Sequence, residues 1–336
     1  AIIASGTLAP TAWFAAELGG AFAGRMLRGP VEAPHVIDRS QFGIAFVGLS
    51  RNGVELRCVR ENIVHKPFVL ELGRTILDIV AAIPGGVLVF LPSRSVLEMV
   101  VQWWQEPSAE GQSLWELIMA RKGHIAAEAG GADGGQVLAR HESAVESGGS
   151  AVLFCVYRGR CSEGLSLSDH AVRGVICVGI PLPPLLPAVR MKRDYNNALA
   201  RSAPPHERRL DGDGWYSLDA HRAINQALGR VIRHRRDYGA AVLVDARWTA
   251  RGSLRAVKYL PSWLRRLHRW RDDLRGEALA CPVDRLVTDL RRHFRHHASH
   301  SDGGGALASG HASPLVSTAP ATSELIARSV RPRVGP

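Results

Sequence analysis

The 336-residue sequence lacks a phosphate-binding loop, a metal-binding pattern of cysteines and an apolar run long enough to span a membrane. No G-x-x-x-x-G-K-[ST] loop occurs, so this chain carries no phosphate-binding loop of its own for a nucleoside triphosphate. Its five cysteines are odd in number and scattered without metal-ligand spacing, and we expect reduced, buried thiols in an intracellular protein. The longest apolar run, from Ile79 to Leu91, contains Pro84 and two glycines and is too short to span a membrane.

Aromatic residues make up only 6% of the sequence, but the apolar fraction of 46% is ample for a packed core. The net charge of +11 favours a polyanionic partner. Between Arg251 and His300 there are 12 Arg or Lys residues against 5 Asp or Glu. The apolar first residues lack the basic start of a signal peptide, which excludes that interpretation. The chain does not begin with Met, and we expect it to be a piece of a longer protein.

The stretch from Ala220 to Asp245 predicts an amphipathic helix, a tight basic turn and a buried strand. Its apolar residues recur at helical spacing, whereas Gln226, Arg230 and Arg233 lie on the opposite side together with Arg222. On one helix these polar side chains would project from neighbouring turns. Two Arg and a Gln aimed at one point suit a nucleotide phosphate, since the planar guanidinium matches phosphate oxygens. A solvated basic helix face is the alternative.

The segment QALGRVIRHRRDYGAAVLVD resembles motif VI of the XPD/FANCJ/RTEL group of superfamily 2 DNA helicases. The matching positions are Gln226, Gly229, Arg230, Arg233 and His234. The resemblance implies that Arg230 and Arg233 are arginine fingers, and that they reach with Gln226 to ATP bound on a neighbouring RecA-like lobe.

Two earlier stretches are similar to further motifs of the same group. SGTLAP at the start resembles motif III, which implies contacts of Ser5 and Thr7 with DNA. GGVLVFLPSRS resembles motif IV, with Arg94 in place of a Tyr, and implies that Ser93 and Arg94 hold a DNA phosphate. The free N–H groups at the start of the predicted helix would support that role. For Ser93, helix capping alone is the alternative.

The segment YRGRCSEGLSLSD resembles motif V, which touches both ligands in these helicases. The resemblance implies DNA contacts for Arg158 and Ser162, and nucleotide contacts for Glu163, Gly164 and Ser166. Ser166 stands where the family has an Asp. A neutral hydroxyl holds an arginine or a ribose less firmly than a carboxylate does, which puts full-rate ATP hydrolysis in doubt.

Four buried strands interleaved with helices predict an α/β fold, a RecA-like parallel sheet flanked by helices, as in a second helicase lobe. The predicted strands are Val87–Leu91, Ala151–Val156, Gly174–Gly179 and Ala240–Val244. A hairpin is predicted around Arg51-Asn52-Gly53, and the Gly-rich text that begins GHIAAEAGG is predicted to be a surface loop. The segment YLPSWLRRLHRW predicts a short helix docked by its Trp residues, although its mixture of basic and aromatic residues also suits nucleic acid.

The predicted domains are the lobe at 1–250, a basic helical extension at 251–300 and a disordered tail at 301–336. The histidines of the extension are predicted to be solvated rather than to bind a metal; they are His293, His296, His297 and His300.

The resemblance implies a nuclear, ATP-dependent 5′-to-3′ DNA helicase in DNA repair, acting on single-stranded or forked DNA. A DEAH box and a four-cysteine iron–sulfur signature are missing from this sequence, as is the triphosphate loop. ATP and Mg²⁺ would therefore be held mainly by an absent N-terminal lobe, which would also carry the iron–sulfur cluster, and this chain alone should be inactive. A non-catalytic nucleic-acid-binding module derived from a degenerate lobe is the alternative. A different α/β enzyme derived from a P-loop fold finds little support, since no other nucleophile–base pattern occurs.

Overall fold

A computed structural model describes residues 35–128, 134–162, 167–203, 209–249, 257–267 and 281–301, with seven isolated positions before residue 26. Its core is one sheet of six parallel strands in the order β1-β6-β5-β2-β4-β3. The strands are β1 (Phe42–Val47), β2 (Gly86–Leu91), β3 (Gly123–Ala127), β4 (Ser150–Val156), β5 (Gly174–Val178) and β6 (Gly239–Val244).

The four strands β2, β4, β5 and β6 coincide with the apolar runs that predicted a parallel sheet. Nearly every residue in them is buried, because helices or loops cover both faces of the sheet. The pairing Val89–Phe154 on one side of β2 and Val89–Ile176 on the other places this strand at the centre. The predicted parallel, RecA-like α/β fold is confirmed, and the sheet contains two strands besides the four that were predicted for it.

The first additional strand corrects the predicted hairpin. Phe42–Val47 pairs in parallel with β6 instead of folding back on the residues that follow it. The turn itself is present, with Gly53 at a φ of 79°, but it closes only a single antiparallel bridge between Leu49 and Glu55. The local Asn-Gly signal was right about the turn, and the pairing of β1 was decided by the long-range contact with β6.

The second additional strand corrects the predicted surface loop. Gly123–Ala127 lies at the sheet edge and pairs with β4. Just before it, the Lys122 side chain is buried, and its Nζ donates to the carbonyls of Ile83 (2.7 Å) and Gly85 (2.9 Å). Burial lowers the pKa of Lys122 to about 7. This strand was missed because it is short, half-exposed and rich in Ala.

The helices of the described residues cover both faces. They are α1 (Arg60–Ile63), α2 (Lys66–Val80), α3 (Arg94–Gln105), α4 (Leu114–Lys122), α5 (Gly134–Glu146), α6 (Pro187–Ser202), α7 (Gly212–Leu228), α8 (Ser262–Leu267) and α9 (Val283–Ser301). Residues of α2, α3, α4 and α9 pack in one apolar cluster, and residues of α5, α7 and α8 pack in another. Among the described residues, none of the helices combines the length and apolar character needed to cross a bilayer.

Helix α9 packs against the sheet through apolar side chains and two histidines. Leu286, Leu290 and Phe294 of α9 are buried in the core, so this helix is integral to the described fold. His293 and His297 contact the carbonyl oxygens of Gly239 (3.1 Å) and Ser40 (2.8 Å), so the prediction of solvated histidines is wrong for these two. The His300 side chain lies outside the described part.

The Trp of the predicted short helix also packs as expected. The ring of Trp263 in α8 lies 4.1 Å from the ring of His35 and 5.6 Å from that of Phe42. This confirms docking by the Trp side chain. Trp270 lies outside the described residues, as do 302–336 of the predicted tail, and the domain boundaries stay predictions.

The five cysteines are free thiols. The side chains of Cys58, Cys155, Cys161 and Cys177 are buried, as predicted, whereas Cys281 is half-buried. Burial raises the pKa of Cys177 to about 12.

Two buried histidines make the fold sensitive to acid. His141 donates from Nε2 to the carbonyl of Ala171 (2.8 Å), and His221 donates from Nδ1 to the carbonyl of Ser217 (2.6 Å). The second ring nitrogen of each is buried without a hydrogen-bond partner. Burial lowers the pKa of both residues to about 4, so each is neutral in the folded protein.

We predict that the folded state loses stability as the pH falls from about 6.5 to about 4. In that window the unfolded chain binds protons at these histidines and the folded chain does not, so the free energy of unfolding must fall with pH. Each histidine accounts for up to about 3 kcal/mol, since a pKa shift of one unit corresponds to about 1.4 kcal/mol. Urea unfolding at a series of pH values measures this.

The variant His141→Gln should flatten that pH dependence, because it removes one titrating group. His170→Gln provides the control, since the His170 side chain is exposed. An equal pH dependence in wild type and His141→Gln would contradict the assignment.

Candidate functional site

The predicted arginine fingers do not project from one helix. Helix α7 ends at Leu228, and Gly229 caps it with its N–H donating to the carbonyl of Asn225 (3.0 Å). Arg230 and Arg233 lie beyond the helix, in a turn and the loop that follows it. The prediction that their side chains project from neighbouring turns of one helix is therefore wrong for these two residues. Gly229 ends the helix in an ordinary right-handed conformation with a φ of −65°, and two residues later the side chain of Val231 is buried in the core.

A buried carboxylate organises this loop at the start of β5 and β6. Asp237 accepts from Nη1 of Arg173 at 2.6 Å through one oxygen, and both side chains are almost fully buried. The same oxygen accepts the N–H of Tyr238 (2.9 Å), and the other oxygen accepts the N–H of Arg233 (3.0 Å). The guanidinium of Arg173 also lies 4.0 Å from the centre of the Tyr238 ring. The loop thus has one fixed conformation relative to the sheet.

The side chain of Arg233 joins motif VI to the end of motif V. Its Nη1 donates to the carbonyl of Ser168 (2.6 Å), and its Nη2 donates to the carbonyl of Arg230 (3.2 Å). The guanidinium is half-buried, and burial lowers its pKa, a shift that the nearby Asp237 and Asp169 oppose. Arg233 therefore holds the two motifs together in this conformation.

A second contact between the same segments is more exposed. His234 donates from Nε2 to the carboxylate of Asp169 at 2.6 Å. Burial raises the pKa of Asp169, but the hydrogen bond and charge of His234 outweigh it, so the pKa lies below its ordinary value. With the contact of Arg233, this pair fixes the segment that leads into β5.

The other two motif VI residues have different surroundings. The side chain of Gln226 is exposed on the last turn of α7. Arg230 is half-buried. Burial raises the pKa of the Cys155 thiol well above its ordinary value, and the charge of Arg230 partly opposes that rise. Gln226 is thus accessible to a ligand, whereas Arg230 is directed partly toward the interior.

A separate polar group forms at the carboxyl ends of β2, β3 and β4. The Ser93 hydroxyl accepts from the N–H of Val96 (3.3 Å) and caps α3, which confirms the capping role. Arg94 donates from Nη1 to the carbonyl of Glu128 (3.0 Å). The buried carboxylate of Glu128 in turn accepts the N–H groups of Val156 (3.0 Å) and Arg160 (2.9 Å). Glu128 therefore couples motif IV to the first turn of motif V.

Arg158 has an unusual backbone conformation, and its partly exposed side chain contacts two other segments. Its φ of 59° is in the left-handed region, which only a few per cent of non-glycine residues adopt. Its guanidinium donates to the carbonyl of Pro181 (3.2 Å) and to the carboxylate of Asp219 (2.5 Å). In this conformation Arg158 positions the segment after β5, and its predicted contact with DNA stays a prediction.

Several predicted residues cannot be placed. Ser5, Thr7, Glu163, Gly164 and Ser166 lie outside the described residues. The backbone of Ser162 forms a short 3-10 turn with Arg160 and Cys161, and its side chain is not described.

Two groups of side chains in the described part have the composition of metal ligands. They are Glu128 with Cys155 and Cys161, and Asp169 with His234 and Asp237; within each group the ligand atoms lie within 4.8 Å of one another. Asp237 and Glu128 already accept the hydrogen bonds given above. Both groups are thus accounted for by contacts within the protein.

Reasoning from the sequence missed the residues that hold the site together. Asp237 lies within the quoted motif VI segment, but a carboxylate that follows three arginines looks like part of a solvated charge run. Glu128 follows a strand that was not predicted, and its partners are backbone N–H groups, which leave no pattern in a sequence. Asp219 and Arg173 find partners more than 60 residues away, so only the fold reveals them.

The family of helicase C-terminal domains matches residues 76–266, from helix α2 to helix α8. This chain belongs to that family. The match contains the described parts of motifs IV, V and VI, from Ser93 to His234, whereas β1 and α9 lie outside it.

Curated relatives are similar over a wider range than this domain. The regulator of telomere elongation helicase 1 homologs of Drosophila virilis and Drosophila persimilis are 36% and 35% identical over 296 residues. These alignments cover 88% of this chain but only 27% of each relative. The chain thus corresponds to the helicase C-terminal domain and spans about a quarter of the length of these two relatives.

Solved structures of XPD proteins are also similar to this chain. An XPD helicase is 18% identical with a TM-score of 0.42, and the match covers 65% of this chain and 34% of that one. Xpd4 of S. tokodaii is 16% identical with the same TM-score, with 66% and 37% covered.

We predict that Asp237→Asn destabilises the helicase C-terminal domain by about 3 to 5 kcal/mol, because it leaves the buried Arg173 charge without its counter-ion. Urea unfolding followed by circular dichroism measures the change. Asp213→Ala is the matched control, since it removes an exposed ion pair with Arg193 and should cost less than about 1 kcal/mol. Equal effects of the two substitutions would contradict a central role for Asp237.

We also predict that Glu128→Gln loosens the first turn of motif V. The amide offers one acceptor oxygen where the carboxylate offers two, so one buried N–H loses its partner at a cost of about 1 to 3 kcal/mol. Hydrogen exchange should quicken at the amides of Val156 and Arg160, with little change at Val96. Unchanged exchange at all three amides would refute the role of Glu128.

Proposed function

We propose that this chain is the second motor lobe of an ATP-dependent DNA helicase, and that it supplies arginine fingers to a nucleotide site completed by the N-terminal lobe. The observation that carries the proposal is the motif VI loop after α7. There the half-buried Arg230 and Arg233 follow the exposed Gln226 in the turn and loop beyond the helix, and Arg233 contacts the end of motif V at Ser168.

The donor set of this loop suits a phosphate. The guanidinium groups of Arg230 and Arg233 and the NH2 group of Gln226 donate hydrogen bonds that match phosphate oxygens, and the two positive charges repel a metal ion. Closure of the lobes would replace the carbonyl partners of Arg233 with the stronger acceptor of a terminal phosphate. The Asp237 network keeps the loop backbone in place while the side chains exchange partners. The groups that hold Mg²⁺, and an iron–sulfur cluster, are proposed for the N-terminal part.

The carboxyl ends of β2 and β4 are proposed as the track for single-stranded or forked DNA. Ser93 and Arg94 begin α3, and Arg158 and Ser162 belong to the turn after β4. Glu128 joins both segments, so movement of one would be transmitted to the other. Unwinding from 5′ to 3′, a role in DNA repair and a nuclear location belong to the same proposal. They are supported by the resemblance to the RTEL and XPD helicases.

A second candidate is a non-catalytic nucleic-acid-binding module. Ser166 favours it, because this residue replaces the motif V Asp and provides a weaker partner for an arginine or a ribose. The net charge of +11 suits both candidates, so hydrolysis discriminates between them.

We predict that the protein extended to include its N-terminal lobe hydrolyses ATP in the presence of single-stranded DNA, and that this chain alone does not. In the extended protein Arg230→Ala should lower the turnover rate by roughly 10³-fold or more, since an arginine finger is worth about 10³ to 10⁵ in rate. Steady-state phosphate release measures both results.

Arg235→Ala serves as the matched control, because Arg235 is an exposed arginine of the same loop. Hydrolysis by Arg230→Ala at the wild-type rate would refute the arginine finger. Retained DNA binding without hydrolysis in the wild-type extended protein would favour the non-catalytic module.

A further inference from the structure

Helix α6 (Pro187–Ser202) carries an exposed row of apolar and small side chains, although Val189 and Leu199 of the same helix are partly buried. Ala188, Met191, Tyr195 and Ala198 are spaced at helical intervals, and all four are exposed. Met191 is 72% exposed and Tyr195 57%. An amphipathic surface helix normally turns such a stripe toward the core. We call these four residues the α6 outer face.

The inner face of the same helix is fastened by polar contacts. Arg193 forms an ion pair with Asp213 (2.5 Å), and its guanidinium lies 5.0 Å from the centre of the Tyr216 ring. Asn197 accepts the N–H of Gly212 (2.8 Å) at the start of α7. Because these contacts orient the helix, the apolar stripe is held outward rather than left there by a loose attachment.

The segment before the helix enlarges the apolar surface. Leu182, Leu185 and Leu186 are 40%, 43% and 59% exposed, and they follow one another into the first turn of α6. Large apolar side chains exposed together indicate a binding surface, whereas single ones are ordinary. The surface therefore extends from the exit of β5 along most of α6.

This surface continues from the proposed DNA track. Arg158, in the turn after β4, donates to the carbonyl of Pro181, one residue before Leu182. The hydroxyl of Tyr216 donates to the carbonyl of Pro183 (2.5 Å) and fixes the next part of the segment. The carboxyl end of β4 and the start of α6 are thus bound to each other directly.

The charge beside the outer face indicates which class of partner fits. Apart from Arg193, which is paired on the inner face, helix α6 carries Arg190, Lys192 and Arg201 against one acidic residue, Asp194. The ammonium of Lys192 lies 5.4 Å from the centre of the Tyr195 ring, so a cation borders the aromatic face. Aromatic and apolar side chains flanked by basic ones bind the bases and the phosphates of a single strand together.

We propose that the α6 outer face is a base-stacking site for single-stranded nucleic acid, with Tyr195 as the stacking platform and Lys192 as a phosphate contact. The inference rests on the proposed function and extends its DNA track beyond motifs IV and V to α6. A second protein is the competing occupant, but the excess of basic residues and the continuity with the track favour nucleic acid.

The test measures binding of a fluorescein-labelled thymidine oligonucleotide of about 20 nucleotides to the whole chain by fluorescence anisotropy. Tyr195→Ala should weaken binding roughly tenfold, and Tyr195→Phe should bind as the wild type does, because the ring and not the hydroxyl stacks. Lys192→Gln should lower the dependence of the affinity on salt by about 0.7 in a plot of log K against log salt, the value for one lost phosphate contact. Met119→Ala, at an exposed Met of α4, is the matched control and should change nothing.

The outcomes separate this inference from the proposed function. Weaker binding by Arg94→Ala together with unchanged binding by Tyr195→Ala would overturn the α6 site and leave the track at motifs IV and V intact. Equal losses in Tyr195→Ala and Tyr195→Phe would overturn the stacking role. If the wild-type chain fails to bind the oligonucleotide at all, both the α6 site and the proposed track are refuted. Thermal unfolding of each variant shows whether a loss reflects the fold instead, and a destabilised Tyr195→Ala is replaced by Tyr195→Leu, which is expected to lose binding likewise.

Discussion

The buried ion pair between Arg173 and Asp237 is the interaction on which the candidate site depends. These residues precede the neighbouring strands β5 and β6, and one carboxylate joins them to the N–H groups of Arg233 and Tyr238. A buried charge is costly unless it is paired and hydrogen-bonded, and here every partner comes from a different part of the loop or sheet. The motif VI loop is therefore fixed by the same contact that neutralises Arg173.

A second constraint comes from the connection between β4 and β5. In the described part this connection contains two short 3-10 turns, at Arg160–Ser162 and Asp169–Ala171, where a parallel sheet commonly uses a helix. Glu128 holds its first turn, and Arg233 with His234 holds its end. A segment fastened at both ends to other motifs is suited to transmit a change at one ligand to the other. In the proposed motor this would couple DNA at the carboxyl ends of the strands to nucleotide at the motif VI loop.

The comparison of sequence and structure separates two kinds of inference. Continuous apolar runs predicted β2, β4, β5 and β6, because a strand that is buried on both faces is apolar at nearly every position and can be identified from its own residues. The short edge strand Gly123–Ala127 and the pairing of β1 were missed, because each depends on a neighbour distant in the sequence. The motifs indicated which residue types belong to the site. They did not indicate that Arg230 and Arg233 lie beyond the helix, since Gly229 was treated as part of a motif and not as a helix end.

The α/β class, the four central strands, the capped start of α3 and the family can all be predicted without coordinates, because they follow from local patterns of burial and from motif residues. The use of the charged groups cannot, because it depends on contacts between segments that are distant in the sequence. Arg94, Arg158 and Arg233 each donate to a backbone carbonyl that no spacing rule would have selected. The fold also makes the apolar stripe of α6 face outward, because polar contacts of Arg193 and Asn197 with α7 orient the helix. Periodicity indicates that a helix has two faces; which of them is buried depends on the partner that the fold brings to it.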